Sequence, residues 1–154
     1  MQFHYVNYSP DELDEVRKIF IEYAEYLKID LCFQDFEKEL QTLSKVYAAP
    51  AGCIILAKIN EEIVGCVALK PIAEGVCEMK RLYVKPSARG HKVGKKLVEE
   101  LITFAKNANY QTMKLDTLTS LTEAIGLYRS FGFQATSAYV YNPLEEVLYF
   151  ELAL

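Results

Sequence analysis

A chain of 154 residues, 51% hydrophobic and 25% charged, suits one domain around one core and can bury enough apolar surface to offset chain entropy. Its net charge of −4 argues against a broad nucleic-acid footprint, although Lys and Arg cluster between Lys80 and Lys96. No apolar stretch approaches the roughly 20 residues of a bilayer crossing, and MQFHYVNYSP lacks a signal pattern, so a soluble, cytoplasmic domain spanning residues 1–154 is expected, with neither nucleic acid nor membrane as partner.

The opening QFHYVN alternates and reads as a strand. Ser9, Pro10, Asp11 and Glu12 then supply an N-cap, a proline at the first helical position and a capping-box acid. The helix they start carries Leu13, Val16, Phe20, Tyr23 and Leu27 on one face, and a shorter helical pattern surrounds Phe36, Leu40 and Leu43. Ala49, Pro50, Ala51 and Gly52 end it. From Cys53 to Val84 the runs CIILAKI, EIVGCVALKPI and VCEMKRLYV, separated by turns at Asn60 and Gly75, read as an antiparallel meander. After the basic loop RGHKVGK, Val93, Leu97, Leu101 and Phe104 mark a helical face that ends near Asn107 to Asn109. TMKLDTL is a strand. Because a whole helix separates it from LYV, the two can pair in parallel through a right-handed crossover, which makes the sheet mixed. Helix EAIGLYRSF stops at Gly132, and the final strands FQATSAYVY and VLYFELAL flank a turn at Asn142 and Pro143. The order is β-α-α-β-β-β-α-β-α-β-β, and the exposed edge of the last strand permits a homodimer.

Cys32, Cys53, Cys66 and Cys77 form no CxxC pair and read as small core residues, while His4 and His91 are too few to hold a metal. A thiol relay through Cys77 would lack a neighbouring His to activate it.

The segment Arg89 to Lys95 lies between an apolar strand and an amphipathic helix, where successive backbone N–H groups and the positive end of the helix dipole converge. That is an anion site suited to a pyrophosphate. It fits neither the Walker pattern nor the dinucleotide fingerprint, which argues against a nucleotide hydrolase. Divergence of the parallel strands LYV and KLD would also free main-chain groups for a ligand's amides.

Together with LYVKP before it and LYRSFGF after it, the loop resembles the GNAT superfamily of acyl-CoA-dependent N-acetyltransferases, from about Gly52 to Phe133. The resemblance implies an α/β (α+β) fold with a mixed, centrally splayed seven-stranded sheet flanked by about four helices. It implies that Arg89, Gly90, His91, Lys92, Val93, Gly94 and Lys95 wrap the CoA pyrophosphate mainly through their amides. The backbone of Leu82, Tyr83 and Val84 would pair with the pantetheine arm, with the Leu82 N–H facing the developing oxyanion. Family members have a glycine where this chain has Lys92, and often an Asn where it has Leu121. Lys92 either crowds the pyrophosphate or adds charge to it.

The same resemblance casts Tyr128 as proton donor to the CoA thiolate, against a purely packing role at the helix end. Glu78 would remove the amine proton, directly or through water, against an ion pair with Lys80 or Arg81; strict alternation puts it on the face of Lys80, Leu82 and Val84. An acceptor pocket is implied near Tyr26, Phe33, Tyr139, Tyr141 and Asn142. The expectation is an acetyltransferase that moves an acetyl group from acetyl-CoA, its co-substrate, to a small-molecule primary amine without a metal. The competing expectations are a non-catalytic acyl-CoA sensor and an enzyme acting on protein lysines or N-termini.

Overall fold

The structure, a computed structural model, describes residues 1–28 and 35–154. The elements run β1 (Gln2–Tyr5), α1 (Pro10–Leu27), α2 (Phe36–Gln41), α3 (Leu43–Val46), β2 (Cys53–Ile59), β3 (Glu62–Ala73), β4 (Val76–Val84), a 3-10 turn (Pro86–Ala88), α4 (Val93–Asn107), β5 (Thr112–Leu118), α5 (Thr122–Ser130), β6 (Gln134–Ala135) and β7 (Val147–Ala153). The seven strands form one sheet in the order β1-β2-β3-β4-β5-β7-β6, mixed because β4 and β5 alone run parallel.

The layers follow from the two periodicities. Ile55, Val67, Leu69, Cys77, Met79, Met113 and Leu115 face one way and are covered by Val93, Leu97 and Leu101 of α4 and by Ile125 and Tyr128 of α5. Ile54, Leu56, Cys66, Ala68 and Tyr83 face the other way, against Val16, Ile19 and Phe20 of α1 and Leu43 of α3. Ser9 caps α1 as its sequence predicts, accepting from the Glu12 amide at 3.4 Å.

Three expectations need correction. The helical pattern around Phe36 and Leu43 is two short helices parted at Thr42, giving five α-helices among the described residues rather than about four. The long strand expected from Phe133 to Tyr141 reduces to Gln134 and Ala135, because the chain then leaves the sheet plane and turns Tyr139 inward to a buried carboxylate, Glu78. The last strand in sequence is not the outermost: β7 lies between β5 and β6, although β6 covers it only at Phe150 and Glu151. Cys53, Cys66 and Cys77 are buried and free, as core residues should be, and burial pushes the Cys53 and Cys77 thiols up to about 12. Cys32 and Phe33 lie outside the described residues.

Candidate functional site

β4 and β5 pair over only three positions, Val76 with Thr112, Cys77 with Met113 and Glu78 with Lys114. Beyond Glu78 the strands part while both continue, β4 to Val84 and β5 to Leu118. The β5-facing amides of Met79 to Val84 therefore lack a ladder partner, as the sequence reading of LYV and KLD anticipates.

The cause is a bulge in β4. Between the pairs Ala68 with Lys80 and Cys66 with Tyr83, β3 has one residue and β4 has two, Arg81 and Leu82. Arg81 takes the left-handed conformation, φ 60°, which is costly for a residue with a Cβ. What holds it there is visible. Its carbonyl accepts from Cys66 Sγ at 3.2 Å, and its guanidinium forks onto Glu39 of α2 at 3.0 and 2.7 Å. The Tyr47 hydroxyl completes the Glu39 carboxylate at 3.0 Å. Burial opposes the Arg81 charge, but the hydrogen bond and charge of Glu39 outweigh it and hold its pKa above the ordinary value.

The bulge also overturns the alternation argument. Leu82 and Val84 pack with the α4 and α5 core, together with Cys77 and Met79, whereas Tyr83 packs with the α1 core. Glu78 and Lys80 lie on the α1 side, opposite Lys70 and Ala68, so they do not share a face with Leu82 and Val84. An extra residue shifts the period-two pattern by one from that point on.

Two connected hollows occupy the wedge. The wider, about 570 Å³, is lined by Leu82, Tyr83, Val84, Arg89, Gly90, Lys92, Val93, Gly94 and Lys95, with Tyr26 of α1 and Leu127 of α5 on its other walls. His91 does not line it. No N–H from Gly90 to Lys95 donates to a described residue, and the first bond of α4 runs from the Lys96 amide to the Lys92 carbonyl at 3.1 Å. Gly90 and Lys92 have positive φ, 86° and 59°, so the chain coils these donors toward one side. A Cβ on Gly94 would project between Val84 at 3.6 Å and Leu127 at 3.7 Å, both walls of this hollow. Arg89 lies along the wall, bonded to the Tyr26 hydroxyl at 3.0 Å and stacked over its ring at 4.6 Å. Tyr26, expected at the acceptor pocket, thus belongs to the Arg89 side.

The narrower hollow, about 70 Å³, runs deeper between Met79 to Leu82 of β4 and Leu115 to Leu118 of β5. Tyr128, Asn142 and Asp116 line it, and it shares Tyr23, Leu27, Leu82, Leu121 and Ala124 with the wider one. Tyr128 is buried, its ring against Phe133 and Phe150, and its hydroxyl donates to no described residue. Burial pushes the pKa of that hydroxyl upward, so it carries its proton at neutral pH.

Glu78 is 2% exposed and lines neither hollow. Its Oε2 accepts from the Tyr139 hydroxyl at 2.7 Å, and Lys70 Nζ stands 3.9 Å from Oε1. The ion pair expected with Lys80 or Arg81 is thus made with Lys70 instead. Burial and then the Arg81 charge lower the pKa of Lys80, which lines the narrower hollow. Tyr141 is 82% exposed and lines neither hollow. Asp116 is the residue the sequence reading missed; the signal was the alternation of TMKLDTL, which sets Lys114 and Asp116 opposite to buried Met113 and Leu115.

Among the described residues no group of His, Cys, Asp and Glu side chains is placed to hold a metal ion, and no helix is long and apolar enough to cross a membrane. The sequence profile of the Acetyltransferase (GNAT) family matches residues 13–133. An uncharacterised N-acetyltransferase of Schizosaccharomyces pombe is 40% identical over 147 residues, covering 94% of this chain and 90% of that protein. A GNAT-family acetyltransferase of Staphylococcus aureus superposes with a TM-score of 0.81 at 21% identity over 99% of both chains. The PaiA N-acetyltransferase of Thermoplasma acidophilum, solved in complex with coenzyme A, superposes with a TM-score of 0.75 at 18% identity over 100% of both chains.

Proposed function

The chain belongs to the GNAT acetyltransferase family and is an acetyl-CoA-dependent N-acetyltransferase, and we propose that its acceptor is the primary amine of a small molecule, acetylated by direct attack. The observation that carries this is the junction of the two hollows: Leu82 walls both, with an unpaired amide ladder on one side and the Tyr128 side chain on the other.

The donor-side residues act mostly through main chain. The amides of Gly90 to Lys95 hold the CoA diphosphate, with Arg89, Lys92 and Lys95 adding positive charge. The β5-facing groups of Leu82 to Val84 hold the pantetheine arm, and the Leu82 N–H steadies the oxyanion formed on attack. Tyr128, neutral because buried, gives its proton to the departing thiolate. Glu78 takes the amine's proton through water or by way of the Tyr139 hydroxyl that stands on its carboxylate. Direct attack is favoured over a thiol relay because burial keeps Cys77 protonated.

Thiol release from acetyl-CoA, measured across small amines and lysine peptides, tests the proposal. Turnover with small amines is expected. Turnover only with peptides would make the chain a protein modifier, and retained CoA binding without any turnover would make it a sensor.

A further inference from the structure

The narrower hollow contains a carboxylate that the reaction above does not use. Asp116 stands on the β5 wall of the wedge, past the last β4–β5 pair, on the same hollow as Tyr128 and Leu82. It is half-buried, and Tyr149 lies opposite it on β7. Among the described residues it accepts from Asn142 Nδ2 at 3.4 Å, and the Lys80 charge acts on it across the hollow, but no Lys, Arg or His there stands within salt-bridge distance of it. The other carboxylate of this face, Glu78, is already engaged by Tyr139 and Lys70.

A half-buried carboxylate that forms no salt bridge among the described residues attracts an ammonium group more strongly than one in bulk water. We propose that Asp116 receives the ammonium group of the acceptor, and that the acceptor is a monoamine carrying an apolar or aromatic body. This rests on the acetyltransfer reading and names its substrate class. The body is set by the surrounding walls, where Tyr23, Leu27, Leu118, Leu121, Leu144 and Val147 present apolar surface. The restriction to one positive charge comes from the β4 wall: Lys80 lines the same hollow, so the second ammonium of a polyamine would meet like charge. Asp116 binds and orients; the proton still leaves by the Glu78 route.

Steady-state kinetics with phenethylamine, spermidine and phenylalanine as acceptors test the assignment, alongside calorimetry with acetyl-CoA. Wild-type kcat/KM should be at least about tenfold higher for phenethylamine than for the other two, and Asp116→Asn should raise the phenethylamine KM at least about tenfold while leaving acetyl-CoA affinity within about twofold. On the wild type, the quaternary trimethylammonium analogue of phenethylamine should compete with the amine, while the neutral alcohol phenylpropanol should not, so the assignment stays testable if the variant folds poorly. A preference for spermidine or phenylalanine, an unchanged amine KM in the variant, or equal competition by the neutral alcohol would overturn it. Acetyl-CoA binding without transfer to any amine would instead sink the transferase reading and this assignment with it.

Discussion

The proposed donor side of the wedge is made of main chain, Gly90 to Lys95 and the unpaired edge of β4, whereas the proposed acceptor side is lined by side chains, Lys80, Asp116 and Asn142, drawn from β4, β5 and the stretch before β7. A site built of amides depends on backbone path and tolerates side-chain change; Lys92 itself holds a left-handed conformation, φ 59°. A site built of side chains depends on which residues the fold brings together, and so it can change specificity without disturbing the donor side.

The largest effect should come from removing what supports the backbone path. Arg81→Ala would leave Glu39 buried without its cation, and a loss of about 3–5 kcal/mol in urea denaturation is expected. A loss below about 1 kcal/mol would show that the bulge stands without the pair. Next in size, Tyr128→Phe should lower turnover at least about tenfold with acetyl-CoA affinity nearly intact. Equal losses in both would mark Tyr128 as a packing residue of α5.

A smaller effect concerns the core beneath both sides. Cys53 and Cys77 titrate near 12 in the folded chain against a reference of 9.0, so the unfolded chain loses these protons first. Their contribution to stability is complete below pH 9.0 and is lost as pH rises toward 12, and denaturation midpoints should fall across that window. Alkylation of Cys53 or Cys77 in the native protein at pH 8, read by mass spectrometry, would contradict their burial. The smallest change is expected at the loop itself. Lys92→Gly should relieve left-handed strain and raise stability by at most about 1 kcal/mol, while CoA affinity by calorimetry falls by less than about threefold. A fall beyond about tenfold would show that the Lys92 charge, rather than the amides, dominates the grip.

The same division explains what could be read from the residues alone. The meander, the crossover helix and the anion loop are written in local patterns: turn residues at Asn60 and Gly75, apolar spacing from Val93 to Phe104, glycines at 90 and 94. The bulge is not: the alternation of VCEMKRLYV breaks at Lys80 and Arg81, but nothing in that pair announces a positive φ, and its cause lies in Glu39, 42 positions away in sequence. Hence alternation alone puts Glu78 on a face that it does not share with Leu82. The stretch after Ala135 misled for a related reason: FQATSAYVY has the spacing of a strand, but its Tyr139 finds a better partner in Glu78 than β7 offers beyond β6. Asp116 is not legible in sequence because one acid on an alternating strand has the same pattern as a solvent-facing residue; only the opposite wall distinguishes it.

Diffraction from crystals grown with CoA tests the role of the wedge most directly. The diphosphate should lie within hydrogen-bonding distance of the amides from Gly90 to Lys95, and the pantetheine arm should run between Leu82–Val84 and β5 with its sulfur toward Tyr128. Pairing of β4 with β5 beyond Glu78, or CoA bound away from this opening, would contradict it.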